Sequence, residues 1–149
     1  MEATGPAGVT GLWSVEDGVT TLRGGRSRST GLLHFPRAPV CPYHGTDDVD
    51  DVALPRTGVL WAWTTVSTAP PGYHGPVPYE LGVVELDADD RGAALRVVGR
   101  LAGTDPGALR AGVPMEVVLV ELPWPDGPDG PDGTIGTWAF APTDAGDAP

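Results

Sequence analysis

Glycine and proline occur along most of the chain, and together they limit how long any regular element can be. The 149 residues include 22 glycines and 17 prolines. Glycine weakens the interiors of helices and strands, and proline lacks the backbone N–H that both structures use. The sequence therefore predicts an all-β fold of short strands joined by turns, in a chain long enough to bury a core.

Five segments in the later part of the chain have the composition of strands. They are rich in Val, Leu, Trp and Thr, and they are bounded by Gly, Pro and Asp. Five strands at this spacing suit a five-stranded OB-type barrel. One helical turn is expected at residues 105–110, where Asp105 or Thr104 can cap it and Pro106 suits its first position. The predicted strands are residues 58–67, 79–87, 94–103, 115–122 and 134–141.

Two short motifs before the barrel have the spacing of a zinc-binding ribbon. Ser27 and Thr30 form the first pair, and Cys41 and His44 form the second. Four Cys or His side chains at these positions would provide tetrahedral zinc ligands. Serine and threonine hydroxyls are poor ligands, so only Cys41 and His44 remain suitable. The sequence predicts a degenerate zinc-ribbon hairpin of rubredoxin-like type that holds well under one zinc per chain.

An ordered series of motifs accompanies this hairpin. It comprises S-x-x-T-G at 27–31, Phe35-Pro36, C-P-x-H-G at 41–45, GVLWAWT at 58–64, APPGY at 69–73, and LRAGVPMEV at 109–117. Over residues 20–141 the chain resembles the zinc-ribbon plus OB-fold proteins that accompany thiolase-like enzymes. It departs from them at the missing cysteines and at Arg37-Ala38, where the family usually has Pro-Arg.

The resemblance implies both a domain organisation and a role. The regions are an N-terminal arm (1–18), a degenerate zinc ribbon (19–52), an OB-fold domain (53–141) and a disordered tail (142–149). The role is a non-catalytic accessory subunit that binds a thiolase-like or ketosynthase-like enzyme and helps position an acyl-CoA thioester for carbon–carbon bond formation or cleavage. The CoA thioester would be a shared ligand, with no tightly bound cofactor.

Two other classes of function stay open. The chain could be a purely structural interaction protein that stabilises a partner enzyme without a ligand of its own. It could also be a free-standing enzyme that uses Cys41 or a histidine, although the sequence has no nucleophile elbow, zincin helix, phosphate-binding loop or dinucleotide motif. Absence of CoA binding would favour the first alternative, and turnover by the purified chain would favour the second.

The predicted contacts with partner and ligand lie mainly in the proline-rich loop at residues 67–78. Proline restricts the free loop, which lowers the cost of ordering it on docking and makes a preformed clamp. A stiff surface loop with no partner is the alternative. The candidate residues are Phe35, Pro36, Trp61, Trp63, Pro70, Pro71, Gly72, Tyr73, His74, Tyr79, Arg96 and Arg100.

Strand alternation suggests how the barrel candidates are arranged. Trp61 and Trp63 share one face of the first barrel strand, opposite Leu60. Burial in the core or against another subunit is the favoured interpretation, because aromatic rings carry large apolar area. Arg96 and Arg100 share a face in the third strand. A solubilising outer face is favoured for them over contacts with the anionic phosphates of a CoA nucleotide.

Charge and the remaining segments exclude several classes. The net charge is −11 and all nine basic residues are arginine, which argues against nucleic-acid binding. The acidic run at residues 47–51 is predicted to be a solvated linker, and the tract at 123–133 an extended excursion with no site. A single cysteine excludes an internal disulfide, and no signal segment or membrane span is evident. We therefore predict a cytoplasmic protein.

Overall fold

The structure is a computed structural model that describes residues 2–4, 10–89 and 91–143. In these residues the chain forms ten strands and one short 3-10 turn, so the predicted all-β class is confirmed. The strands are β1 (Glu2–Thr4), β2 (Thr10–Glu16), β3 (Val19–Ser27), β4 (Leu33–His34), β5 (Val49–Ala53), β6 (Thr57–Val66), β7 (Tyr79–Leu86), β8 (Leu95–Arg100), β9 (Pro114–Pro123) and β10 (Thr134–Pro142).

The first five strands form one antiparallel sheet. Its order is β1–β2–β3–β4, and β5 also pairs with β3. β2 pairs with β3 from Trp13 opposite Leu22 to Glu16 opposite Val19, and Trp13 is 4% exposed. Within the residues predicted as an N-terminal arm, 1–18, β2 therefore belongs to the sheet and its tryptophan to the core. The predicted tail falls largely outside the described residues, since Pro142 ends β10 and residues 144–149 are not described.

The acidic run is part of this sheet rather than a solvated linker. Asp50 pairs with Arg28 at 2.9 Å, and Asp51 pairs with Arg23 at 3.1 Å. The linker interpretation is wrong because β5 lies against β3, which brings the aspartates beside the arginines. β5 (Val49–Ala53) also spans the predicted domain boundary between residues 52 and 53.

The last five strands form the predicted barrel. Their order is β10–β9–β6–β7–β8, and every pairing among them is antiparallel. A parallel bridge between Leu101 and Phe140 then joins the two ends of this order, with Ala102 N donating to Phe140 O at 2.8 Å. The sheet thus curls back on itself around an apolar interior, as a five-stranded OB-type barrel does.

One hydrophobic core serves both regions. The barrel supplies Leu60, Val84, Leu86, Val97, Leu101, Met115, Val117 and Phe140, and the residues before it supply Trp13, Leu22, Leu33 and Leu54. Each of these side chains is at most 4% exposed. Burial of apolar area is the main stabilising contribution to folding, so the two regions stabilise each other.

Polar and aromatic contacts also join the two regions. Arg56 donates from Nε to Thr20 O at 2.7 Å and from Nη2 to Val117 O at 2.9 Å. Arg26 of β3 forms an ion pair with Asp89, which follows β7. These contacts orient the first sheet on the barrel.

The predicted helical turn between the third and fourth barrel strands is confirmed. It is a 3-10 turn over Pro106–Ala108, with Pro106 at its start. The Asp105 side chain accepts a hydrogen bond from Gly107 N at 3.1 Å. Gly112, at φ 94°, allows the chain to turn into β9.

Candidate functional site

The two motifs of the predicted ribbon form turns of the same backbone geometry. Gly31 N donates to Ser27 O at 2.7 Å, and Gly45 N donates to Cys41 O at 2.8 Å. Both glycines have left-handed φ angles, 75° and 74°. Each turn needs glycine at its fifth residue because other residues are strained in this conformation. The repeated turn is the structural feature behind the ribbon-like spacing.

The side chains at these turns do not form a metal site. Ser27 is fully buried and its hydroxyl donates to Asp48 Oδ1 at 3.1 Å, and Cys41 is 1% exposed. Thr30 and His44 are exposed. Across residues 2–4, 10–89 and 91–143, no three His, Cys, Asp or Glu side chains are placed to hold a metal ion. The donor set does not fit a closed tetrahedral zinc site, which needs four thiolate or imidazole ligands.

The Asp48 carboxylate accepts hydrogen bonds from the first turn. Ser27 Oγ donates to it, and Ser29 N donates to Oδ2 at 2.7 Å. The neighbouring hydroxyls of Thr46 and then Ser29 lower the pKa of Asp48 well below its usual range; desolvation raises this pKa by less, and Ser29 N and the Ser27 hydroxyl lower it further. These bonds favour the charged carboxylate. A polar cluster therefore holds the first turn.

The ribbon candidates Phe35 and Pro36 have different environments. Phe35 packs edge-to-face on Trp138 of β10, with ring centroids 5.6 Å apart, and is only partly exposed. Pro36 is exposed. Phe35 thus contributes to docking the ribbon on the barrel within the chain, while Pro36 remains accessible to a partner.

A β-bulge in β6 separates the two tryptophans predicted to share a face. Leu60 pairs with Val84 and Ala62 pairs with Val83, so Trp61 is an extra residue in the strand. The Arg96 guanidinium lies 4.0 Å from the centre of the Trp61 ring. A bulge shifts the alternation of side chains by one residue. Trp63 therefore lies on the same face of the strand as Leu60, and Trp61 lies on the opposite face. The prediction of a shared face is therefore wrong.

Neither tryptophan is buried within the chain. Trp61 is 52% exposed and Trp63 is 40% exposed. Burial in the core is thus excluded for both, and burial against another subunit stays a prediction. Single exposed apolar residues are ordinary on protein surfaces, so their neighbours decide whether these two matter.

Around Trp61 the outer surface of the barrel is apolar. Val98 is 62% exposed and pairs with Val83, which in turn pairs with Ala62. We call this surface, formed by Trp61, Ala62, Leu81, Val83 and Val98, the outer face. Beside Trp61, a groove of about 260 Å³ is lined by Ala62, Leu81, Val83 and Val98 of this face and by Trp63, Thr64 and Gly82. Exposed apolar patches of this kind mark interaction sites.

An arginine lies at each end of the outer face. Arg96 pairs with Glu85 through a 3.0 Å hydrogen bond and covers Trp61. Arg100 of β8 pairs with Leu81 of β7, at the other end of the outer face. The predicted common face of Arg96 and Arg100 is confirmed, because Val97 between them is 3% exposed. Both cations are positioned to contact a bound partner or an anion.

The proline-rich loop is held in one conformation by Tyr73. Its hydroxyl donates to Pro76 O at 2.8 Å and accepts from Arg100 Nη1 at 2.8 Å. Its ring lies 5.0 Å from that of Tyr79, over which the Arg100 guanidinium lies at 4.5 Å. A loop fixed in this way loses little conformational entropy on binding. The predicted preformed clamp therefore has a structural basis.

A groove of about 250 Å³ lies between this loop and the start of the 123–133 tract. His74 Nε2 and Asp126 Oδ2 are 3.0 Å apart and join the two walls. A Cβ at Gly127 would collide with the Trp124 ring, so glycine is required where the tract bends over that ring. The groove is lined mainly by Pro70, Pro71, Tyr73, Leu122, Trp124 and Ile135.

Sequence reasoning missed this second wall. The tract was predicted to carry no site, yet Trp124 lines the groove opposite Pro70 and Pro71. The available signal was the tryptophan between two prolines, since aromatic and proline side chains are typical of apolar recognition grooves. Only the tertiary structure brings the two proline-containing segments together.

The residues considered for catalysis do not converge. Cys41 is 1% exposed, which leaves its thiol out of reach of a substrate. His34 is 3% exposed and its Nε2 accepts from Ala38 N at 3.0 Å, so it packs within the region before the barrel. His44 is exposed on the second turn, and His74 closes the groove. These positions give no support to a thiol–imidazole pair.

The described residues contain no helix long and apolar enough to cross a membrane.

Comparisons with known proteins agree with the barrel. The family described as the ChsH2 C-terminal OB-fold domain matches residues 51–120, from β5 into β9. A DUF35 domain-containing scaffold protein of Pyrococcus furiosus is 29% identical over 97 residues, 65% of this chain and 67% of that protein. One of Methanocaldococcus jannaschii is 26% identical over 98 residues, 65% and 66% of the two chains. The chain spans about two thirds of the length of these relatives.

A solved structure extends the similarity to the first sheet. A chain of the structure titled Ltp2-ChsH2(DUF35) aldolase superposes with a TM-score of 0.55 at 28% sequence identity. The match covers 82% of this chain and 84% of that chain. The barrel and the region before it are therefore similar, in sequence and in fold, to DUF35 proteins.

Proposed function

We propose that the chain is a DUF35-type accessory subunit of an acyl-CoA-processing enzyme. It binds a thiolase-like or ketosynthase-like partner and helps to position an acyl-CoA thioester for carbon–carbon bond formation or cleavage. The similarity to DUF35 domain-containing scaffold proteins and to a chain of an aldolase structure supports the accessory role. The first sheet is, on this proposal, a zinc ribbon that has lost its metal.

The outer face is the observation that carries this proposal. Trp61 and Val98 are more than half exposed, at positions where a monomer would need no apolar side chain. Arginine lies beside this apolar area, and aromatic residues and arginine are the types enriched where proteins meet. An accessory subunit needs such a surface, because it acts only when bound to its enzyme.

The second part of the proposal concerns the acyl-CoA. The groove between Tyr73 and Trp124 is apolar and suits an acyl group or the apolar part of a thioester. Arg100 lies on the other side of Tyr73 and donates to its hydroxyl from Nη1, and its other N–H groups would bind an anionic phosphate. Tyr73 thus connects a site for an apolar group with a site for an anion.

The test is recovery of the tagged chain from its native host, with identification of the proteins recovered in comparable amount. The proposal expects an acyl-CoA-processing enzyme of thiolase fold. Trp61→Ser and Val98→Ser should each reduce its recovery at least tenfold, since interface anchors contribute more than about 1.4 kcal/mol. Val19→Ser is the matched control, because Val19 is 44% exposed beside the β2–β3 turn and is not part of the outer face.

Clean recovery of the chain alone would contradict the accessory role. If the enzyme is recovered, CoA and an acyl-CoA are each titrated into the chain and into its complex with the enzyme. This distinguishes a subunit that helps to position the thioester from one that is purely structural. Binding that weakens in Arg100→Gln supports a share in positioning the thioester. Recovery of the enzyme without any CoA binding to the chain favours a structural interaction protein.

A further inference from the structure

A carboxylate is buried at one end of the barrel. Glu80, near the start of β7, is 8% exposed. Residues of a strand alternate between its faces, so Glu80 lies on the same face as Gly82 and the core residue Val84. An ionised group in this position loses hydration and needs compensating contacts.

Glu80 has little compensation within the protein. The Thr104 hydroxyl donates to its Oε1 at 3.3 Å, which is long for a hydrogen bond between oxygen atoms. The salt bridges formed among the described residues do not include Glu80. Arg100, beside it in the barrel, instead donates to Tyr73 and lies over the ring of Tyr79.

Glu80 also lines an open cavity of about 330 Å³. Leu101 and Val120 contribute apolar wall, Thr104 and Glu121 contribute polar groups, and Arg100 also lines the cavity. This space admits one long side chain from outside. A second carboxylate, Glu121, adds negative charge to the wall, while the charge of Arg100 is held against the tyrosines.

We propose that this cavity receives a basic side chain, arginine or lysine, of the partner enzyme and that the chain pairs it with Glu80. The occupant comes from the enzyme of the proposed function, on which this inference rests. Charge complementarity selects it, because a desolvated carboxylate favours a cation and an overall charge of −11 attracts a basic surface. The stem of such a side chain would pack on Leu101 and Val120.

The first test is the stability of the isolated chain. Glu80→Gln keeps the shape of the side chain and its hydrogen bond from Thr104, but removes its negative charge. Its melting temperature should rise by about 3 °C, since a largely buried charge that lacks an ion-pair partner opposes folding. Glu116→Gln removes one charge at the other end of the barrel and should leave the melting temperature unchanged. A lower melting temperature for Glu80→Gln overturns the proposal, because Glu80 would then stabilise the isolated fold.

The second test probes the cavity directly with agmatine, a small guanidinium compound. Backbone amide NMR signals of residues 80, 101–104 and 120–122 should shift saturably in wild type and in Glu116→Gln, and at least fivefold less in Glu80→Gln. N-butylurea, whose urea group is planar like a guanidinium but uncharged, should leave these amide signals unshifted. Equal shifts in wild type and Glu80→Gln, or no shift at the cavity, overturn the proposal.

Recovery from the host separates this inference from the proposed function. Wild type should recover the acyl-CoA-processing enzyme, and Glu80→Gln should recover at least tenfold less. If both recover it equally, the inference fails and the accessory role stands. If wild type recovers no such enzyme, the accessory role fails, and the inference fails with it because the cavity then lacks its occupant.

Discussion

The first sheet and the barrel are stabilised by different kinds of contact. Eight of the twelve buried residues of the core cluster come from the barrel, and four precede it. The first sheet instead contains ion pairs of Arg23, Arg28 and Arg37 with aspartates of β5. Exposed ion pairs contribute little individually, whereas buried apolar groups contribute strongly. The barrel thus supplies most of the shared core, and the region before it adds ion pairs to the four core residues that it contributes.

The largest effect is expected from opening a cavity in the barrel. Phe140→Ala removes a fully buried ring that packs edge-to-face on Trp138. Urea denaturation should show a loss of about 3–5 kcal/mol in the free energy of unfolding. Leu119→Ala, on the exposed side of the adjacent strand, should cost under about 1 kcal/mol.

If Phe140→Ala does not fold, Phe140→Leu provides a milder change with an expected loss of about 1 kcal/mol. A Phe140→Leu variant as stable as wild type would contradict the view that the barrel core dominates stability.

A smaller effect is expected at the junction of the two regions. Arg56→Met removes the donors to the carbonyls of Thr20 and Val117, two residues at most 3% exposed. Unsatisfied buried carbonyls should lower the free energy of unfolding by about 1–3 kcal/mol. Arg110→Met is the control, because Arg110 is exposed. Identical denaturation midpoints for the two variants would show that the junction does not depend on Arg56.

A change with pH distinguishes the first sheet from the barrel. Hydroxyls of Thr46, Ser29 and Ser27 depress the pKa of Asp48 in the folded state. Its stabilising contribution is therefore present above the usual aspartate pKa of about 4 and is lost as the pH falls towards the lower folded value. Asp48→Asn should be less stable than wild type at pH 7, and this difference should shrink as the pH falls below about 4.

Thermal denaturation of wild type, Asp48→Asn and Asp47→Asn between pH 7 and pH 2 measures this difference. Asp47 is the exposed neighbour, and its replacement should leave the pH profile of the wild type unchanged. A constant difference between Asp48→Asn and wild type over the whole range would refute the assigned role of the carboxylate.

Removal of metal is expected to leave the stability unchanged, which is the smallest of the expected effects. Ser27 is engaged with Asp48 and Thr30 is exposed, so the first turn offers no strong zinc ligand. Mild chelation should leave the melting temperature unchanged, and the purified chain should contain well under one zinc. Stoichiometric zinc that resists chelation would show that the first sheet has a metal-dependent stability after all.

The barrel could be predicted from sequence with good boundaries, because each strand is a run of apolar residues closed by Gly, Pro or Asp. The predicted strand at residues 58–67 is β6 (Thr57–Val66), and that at 134–141 is β10 (Thr134–Pro142). The weaker predictions concern residues whose partners are distant in sequence. Trp13 joins the core through the pairing of β2 with β3, and Asp50 meets Arg28 through the pairing of β5 with β3.

The sequence identifies the residue types of the candidate site but not how they are arranged in space. The aromatic and arginine residues stood out in sequence, and Arg96 and Arg100 share a face as alternation predicts. Trp61 and Trp63 do not, because no sequence signal marks the bulge between them. Trp124 was missed since its groove exists only when two distant segments meet.

By itself the sequence determined the all-β class, the five barrel strands and the two glycine-containing turns, since these depend on local conformational preference and on alternation within a strand. The tertiary structure alone decided which side chains are exposed, where the outer face lies and that Glu80 is buried almost without a partner. These depend on strand register and on contacts between distant residues, and a single shift in register moves a side chain to the opposite face.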